Sequence, residues 1–119
     1  MSEKEAAARL LPLPAATFHI LLSLAEGERH GYALKREIAQ RTGGKLSLGP
    51  GVLYGAIARM IDQGLIEESD DRPDPHLDDE RRRYYRLTAF GRKVAQAEAA
   101  RLRELVALAA GRFGRRERA

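Results

Sequence analysis

Three consecutive arginines, Arg81, Arg82 and Arg83, form the sharpest cluster of charge in the chain. Guanidinium groups are planar forks that match phosphate oxygens, so a polyanion is their natural ligand. In an extended segment, alternation sends Arg82 and Tyr84 to one side and Arg83 and Tyr85 to the other, so the three cannot all face one partner. Asp78, Asp79 and Glu80 precede them directly and offer local pairing as the competing use. A second group of side chains is spread over residues 32–59. Tyr32, Lys35, Arg36, Lys45 and Ser47 suit backbone phosphates, although a solvated helix face would explain Lys35 and Arg36 equally well. Gly51, Gly55, Ala58, Arg59 and Asp62 fall together by the 100° rule, and the small residues among them allow close approach to a ligand. Tyr54 lies beside them, where a flanking aromatic is as often core as contact.

Catalytic chemistry has little to stand on. The chain contains no cysteine, which removes thiolate metal sites, disulfides and cysteine nucleophiles together. Asp74, His76, Asp78 and Asp79 have metal-ligating side chains but lie in a Pro-rich loop, a poor rigid cage, so no metal is expected. Gly49, Gly51 and Gly55 lack the spacing of a dinucleotide cradle and the long strand that should precede one. His19 sits in an apolar helix and His30 at a turn, both as structural groups. No Ser-His-Asp arrangement is present. The expectation is a binding protein without a cofactor, not an enzyme.

The elements that must position these groups follow from periodicity. Residues 1–12 are Ala- and Glu-rich and form a flexible or short, frayed helical segment. Phe18, Leu21, Leu22 and Ala25, widened by Ile20 and Leu24, predict a helix over 15–26 buried nearly all round and ended by Gly27. A second helix spans 31–41. Residues 45–49 are too short for more than a turn or a single bridge. A third helix runs from Pro50 to Gln63, with Leu53, Ala56, Ile57, Met60 and Ile61 on its inner face and Gly64 as its stop. Two strands follow, over 65–69 and 83–87, separated by an acidic loop that carries five aspartates. Thr88 is placed as the N-cap of a long last helix. Three helices, a hairpin and a helix predict an α+β, mostly helical winged helix-turn-helix over 13–88. The last helix, over 89–113, and a frayed basic tail, over 114–119, complete the chain.

That last helix carries Ala95, Ala99, Leu102, Val106, Ala109 and Phe113 at alternating spacings of four and three, a heptad seam broadened by Leu105 and Leu108. About 25 residues span some 37 Å, more than a core of this size can cover. An apolar stripe of that length implies self-association, so these residues are the expected dimer interface.

Four motifs in order resemble one family. His30-Gly31-Tyr32-Ala33-Leu34 is similar to the HGY element of PadR-family transcriptional regulators, and Leu48-Gly49-Pro50-Gly51-Val52-Leu53-Tyr54 to their PGTLY element. Residues 59–66, RMIDQGLI, resemble the family's helix end, and residues 82–88, RRYYRLT, its second wing strand. The resemblance covers about residues 18–100 and points to the small type, with a single C-terminal helix. It implies a homodimeric DNA-binding repressor, in some members released by a small molecule. Val52 stands where the family usually has Thr or Ser, and Gly55 where Pro is frequent.

Charge supports such a partner and composition bounds the rest. The net +4 is uneven: −1 over 1–26, +3 over 27–64, −3 over 65–91 and +5 over 92–119. The longest apolar stretch, 13–25, falls short of the roughly 20 residues a membrane span needs. No secretory pattern opens the chain, so it reads as cytoplasmic with no membrane partner. The expected function is sequence-specific regulation of transcription through a palindromic double-stranded operator. The rival reading is a winged-helix protein-interaction module without DNA binding. The absence of tryptophan argues against a Trp-lined effector pocket and leaves room for a purely apolar one.

Overall fold

The computed structural model describes residues 1–69 and 83–114. The elements, in chain order, are α1 (Glu3–Arg9), α2 (Ala15–Ala25), β1 (Arg29–His30), α3 (Gly31–Arg41), α4 (Pro50–Asp62), β2 (Ile66–Ser69), β3 (Tyr84–Leu87) and α5 (Ala89–Phe113). This is the α+β winged helix-turn-helix with a long C-terminal helix. The sheet is antiparallel in the order β1-β3-β2, with Ile66 opposite Leu87, Ser69 opposite Tyr84, and Arg29 opposite Tyr85. The two-residue β1 is not visible as a strand in the sequence. It counts as a strand because β3 pairs with it, while His30 is extended also as the N-cap of α3.

Each helix buries one stripe into a common core. Thr17, Ile20, Leu21 and Leu24 supply it from α2, Leu34 and Ile38 from α3, and Leu53, Ala56, Ile57 and Met60 from α4. Leu65, Ile66, Tyr85 and Val94 close it from the hairpin and the start of α5. The stripes are narrower than the sequence suggests. Leu22 and Ile61 are each 39% exposed, and Ala25 is exposed as well. A single layer of neighbours covers only about a third of a helix, so residues at the edge of a stripe stay in water.

Caps fix where helices start and stop. Thr88 Oγ1 accepts the Gly91 N–H at 2.9 Å and donates to the Gly64 carbonyl at 2.6 Å, tying the start of α5 to the end of α4. His30 Nδ1 accepts the Ala33 N–H at 3.2 Å, which makes this histidine the N-cap of α3. Gly64 takes φ +76°, and the Leu65 N–H then closes on the Met60 carbonyl at 2.9 Å, a left-handed stop that turns the chain into β2. Gly91 is needed for another reason: a Cβ there would lie 1.9 Å from the Leu65 carbonyl oxygen.

The N-terminal segment is better anchored than a frayed appendage. Ser2 caps α1, Ala7 is buried, Lys93 pairs with Glu3, and Glu98 accepts the Leu13 N–H at 2.8 Å. Residues 1–13 are thereby strapped along α5.

Candidate nucleic-acid interface

Helices α3 and α4 form the helix-turn-helix. Thr42 shapes its turn, donating to the Ile38 carbonyl at 2.9 Å and accepting the Leu46 N–H at 3.0 Å, while buried Leu48 pins the far end. Lys45 and Ser47, between these anchors, are exposed. Pro50 occupies the first turn of α4, and Gly49 at the N-cap makes no side-chain hydrogen bond.

The outer face of α4 is low and open. Gly51, Ala58 and Arg59 are exposed and Gly55 is half-buried. A Cβ on Gly51 would meet nothing within 4 Å, and one on Gly55 would meet only the Arg59 guanidinium at 3.8 Å. Lys35 is half-buried and Arg36 exposed on α3, with the Arg36 guanidinium 5.8 Å from the centre of the 49% exposed Tyr32 ring. That stacking holds a cation and an aromatic edge together at the surface. Tyr54 differs from the others. It is half-buried against the core, and its ring lies over Gly31, where a Cβ would come within 2.5 Å of the hydroxyl oxygen. Its position joins α4 to α3 and explains why the residue after His30 is glycine.

The wing is partly self-neutralised. Arg83 lies 3.7 Å from Glu68, and Arg86 donates to Glu67 at 2.8 Å and lies 3.9 Å from Glu28. Arg81, Arg82 and the acidic loop fall outside the described residues.

The residues expected in the dimer seam divide in two. Ala95 packs on the core of its own domain, and Ala99 and Leu102 are half-buried. From Arg103 onward every described residue is exposed, including Leu105, Val106 (67%), Leu108, Ala109 and Phe113 (66%). The second half of α5 is an arm projecting from the domain.

Between the middle of α5 and α2 lies a cavity of about 250 Å³ lined by Leu13, Phe18, His19, Glu98 and Leu102, among others. Glu98 is the feature the sequence hides. Only 2% exposed, it accepts from Arg101 Nε and from the Leu13 N–H. The Arg101 hydrogen bond holds its carboxyl below the usual range against the opposing effect of burial. Nothing in its Ala-rich helical surroundings marks it as internal. Burial, and then the nearby Arg41 charge, push His19 below its ordinary value. Arg41 donates to the Ser23 hydroxyl at 2.7 Å and lies 3.2 Å from His19 Nδ1. Among the described residues no cluster of His, Asp and Glu could hold a metal ion, and no helix is long and apolar enough to cross a membrane.

Comparison with known proteins places this geometry. An uncharacterized 37.1 kDa protein in transposon TN4556 of Streptomyces fradiae is 38% identical over 80 residues, which are 67% of this chain and 21% of that protein. The chain thus spans about a fifth of that relative. A transcriptional regulator from Clostridium thermocellum shares the fold at TM-score 0.65 with 28% identity, over 82% of this chain and 88% of that one. A PadR family transcription regulator from Clostridium difficile R20291 superposes at TM-score 0.69 with 21% identity, over 82% and 97% of the two chains, a likeness of fold. The model of the transcriptional regulator PadR-like family matches residues 20–97, from the buried stripe of α2 through the hairpin into α5, and the chain belongs to that family.

Proposed function

We propose that this protein is a homodimeric, cytoplasmic repressor that binds a palindromic DNA operator through α4. The observation that carries the reading is the outer face of α4. It is open at Gly51, Gly55 and Ala58 and carries Arg59, with exposed Lys45 in the turn before it and Lys35 on α3. Small residues let a helix backbone sink into a major groove, and the cations around it supply phosphate contacts. Tyr32, Arg36 and Ser47 extend that group, and Arg81 and Arg82 would add to it from the wing. Tyr54 serves the same surface by setting the angle between α3 and α4.

The exposed arm of α5 supports the dimer, since Leu105, Val106, Leu108 and Phe113 together make an apolar stripe too long to leave in water. Ala95, Ala99 and Leu102 would continue it toward the domain, and Ala109 lies within it. A groove of about 390 Å³ between α1 and α5, lined by Ala7, Ala8, Leu11 and Ala97 and rimmed by Glu3, Lys4, Lys93 and Gln96, gives a small effector room on the side of α5 away from that seam.

One observation favours the rival reading of a protein-interaction module. The described wing strands set Glu67 and Glu68 against Arg86 and Arg83, leaving little net positive charge there. A salt-controlled mobility shift on the DNA upstream of the protein's own gene decides between them. Saturable binding to a fragment containing an inverted repeat is expected. Equal, weak binding to all fragments would favour the module.

A further inference from the structure

We propose that Val52 reads the C5-methyl group of thymine in the major groove, an assignment that rests on the DNA-binding reading above. Val52 is 61% exposed in the first turn of α4. The fold does not ask for an apolar group there, because Leu53, Ala56, Ile57 and Met60 already form the buried face of the helix. Glycines flank it on both sides of Pro50 and one turn on. A Cβ on Gly49 or Gly51 would meet nothing within 4 Å, and one on Gly55 only a guanidinium tip. A ligand approaching this end of α4 therefore meets backbone at Gly49 and Gly51, the exposed Ser47 and the Pro50 ring, and the projecting isopropyl group of Val52. Exposed Lys45 in the turn before α4, exposed Arg59 on it and half-buried Lys35 on α3 outnumber the one acid of the α4 outer face, Asp62, and favour a negatively charged ligand.

A ligand that is polyanionic yet offers an apolar knob is unusual. Duplex DNA is one, since thymine presents a methyl group among the donors and acceptors of the major groove. Valine has no hydrogen-bonding group, so it can neither hold a phosphate nor read a donor–acceptor pattern. Methyl contact is the base-edge chemistry left to it. In a two-fold dimer the same contact recurs once in each half-site.

The test begins with duplexes enriched from a random pool by the full-length protein at fixed salt. Each thymine is then replaced in turn by deoxyuridine, which removes only the methyl group. One symmetry-related pair of positions should respond, with binding weakened roughly 4-fold for one half-site and about 15-fold for both. Val52→Ala, an exposed change that favours helix, should lose a similar factor on the thymine site and become indifferent to uracil. Tolerance of uracil at every position by the unsubstituted protein would overturn the assignment. So would a Val52→Ala protein that still discriminates as strongly. Failure to enrich any sequence would remove the DNA-binding reading and this assignment with it, whereas enrichment without methyl dependence removes only the role of Val52.

Discussion

Gly91 and Glu98 show how much a single residue can carry in a chain this small. At Gly91 an added Cβ would meet the Leu65 carbonyl oxygen at 1.9 Å and its carbon at 2.8 Å, and backbone atoms cannot swing aside as a side chain can. Gly91→Ala should therefore destabilise the fold by at least about 1–3 kcal/mol, the usual penalty for overpacking. Urea unfolding should show a lower midpoint at unchanged slope. Glu98 makes a prediction about pH. Its folded carboxyl lies below the ordinary value, so the unfolded chain binds the proton more readily over the window between the two. The stability it contributes is complete above about pH 4.5 and fades as pH falls through the lower, folded value. His19 is likewise depressed, and its contribution begins to fade earlier, below about pH 6.5. Thermal melts at fixed protein concentration should show Glu98→Gln less stable than the parent at neutral pH, with the gap narrowing below pH 4.5.

Helix α4 has two faces with opposite demands, and a substitution can set them against each other. Glycine within a helix costs about 1 kcal/mol relative to alanine, and Gly55 has open space beside it. Gly55→Glu should leave thermal stability equal or slightly raised. Operator affinity should fall to near the non-specific level, through bulk and repulsion of phosphates. Calorimetry and a DNA titration on the same sample check both halves. A loss of folding would mean that the face is less open than its geometry indicates. The wing behaves differently because its described cations are engaged: Arg86 with Glu67 and Glu28, Arg83 with Glu68. Glu67→Gln removes one negative charge from the wing while Arg86 keeps Glu28, and should strengthen binding to all DNA sequences alike, by a modest factor that shrinks with added salt.

At the scale of the whole molecule, the arm of α5 leaves Leu105, Val106, Leu108 and Phe113 exposed, and the proposed dimer is what would cover them. Leu102 sits at the base of the arm and Val106 is two-thirds exposed along it, so glutamates at both positions would bury four charges in a two-fold seam. Leu102→Glu with Val106→Glu should give a folded monomer by light scattering, since the core lies in residues 7–94. A dimer would put the interface elsewhere. The proposed dimer would also fix the geometry of recognition, because two copies of α4 would have to reach grooves about one helical turn, or 10–10.5 bp, apart. Inserting 5 bp between the halves of the operator should turn one half-site to the far side of the duplex and leave only non-specific affinity.

Local chemistry determined the elements of this protein. Pro50 and Gly64 bound α4, Thr88 opens α5, and the apolar spacing of 20, 21, 24 and of 53, 56, 57, 60 assigns each helix its buried stripe, because capping and periodicity act within a few residues. The candidate DNA face was legible for the same reason, since Gly51, Gly55, Ala58 and Arg59 share one helix. What depended on distant parts of the chain was not. Strand β1 exists through its pairing with β3, and Tyr54 is committed to Gly31 on another helix. Leu22 and Ile61 stay exposed because no neighbour covers the edges of their stripes. Glu98 is internal only because Leu13, 85 residues away, and Arg101 satisfy its carboxylate. Tertiary structure decided these because burial and pairing depend on which surfaces meet, and residue type alone does not record that.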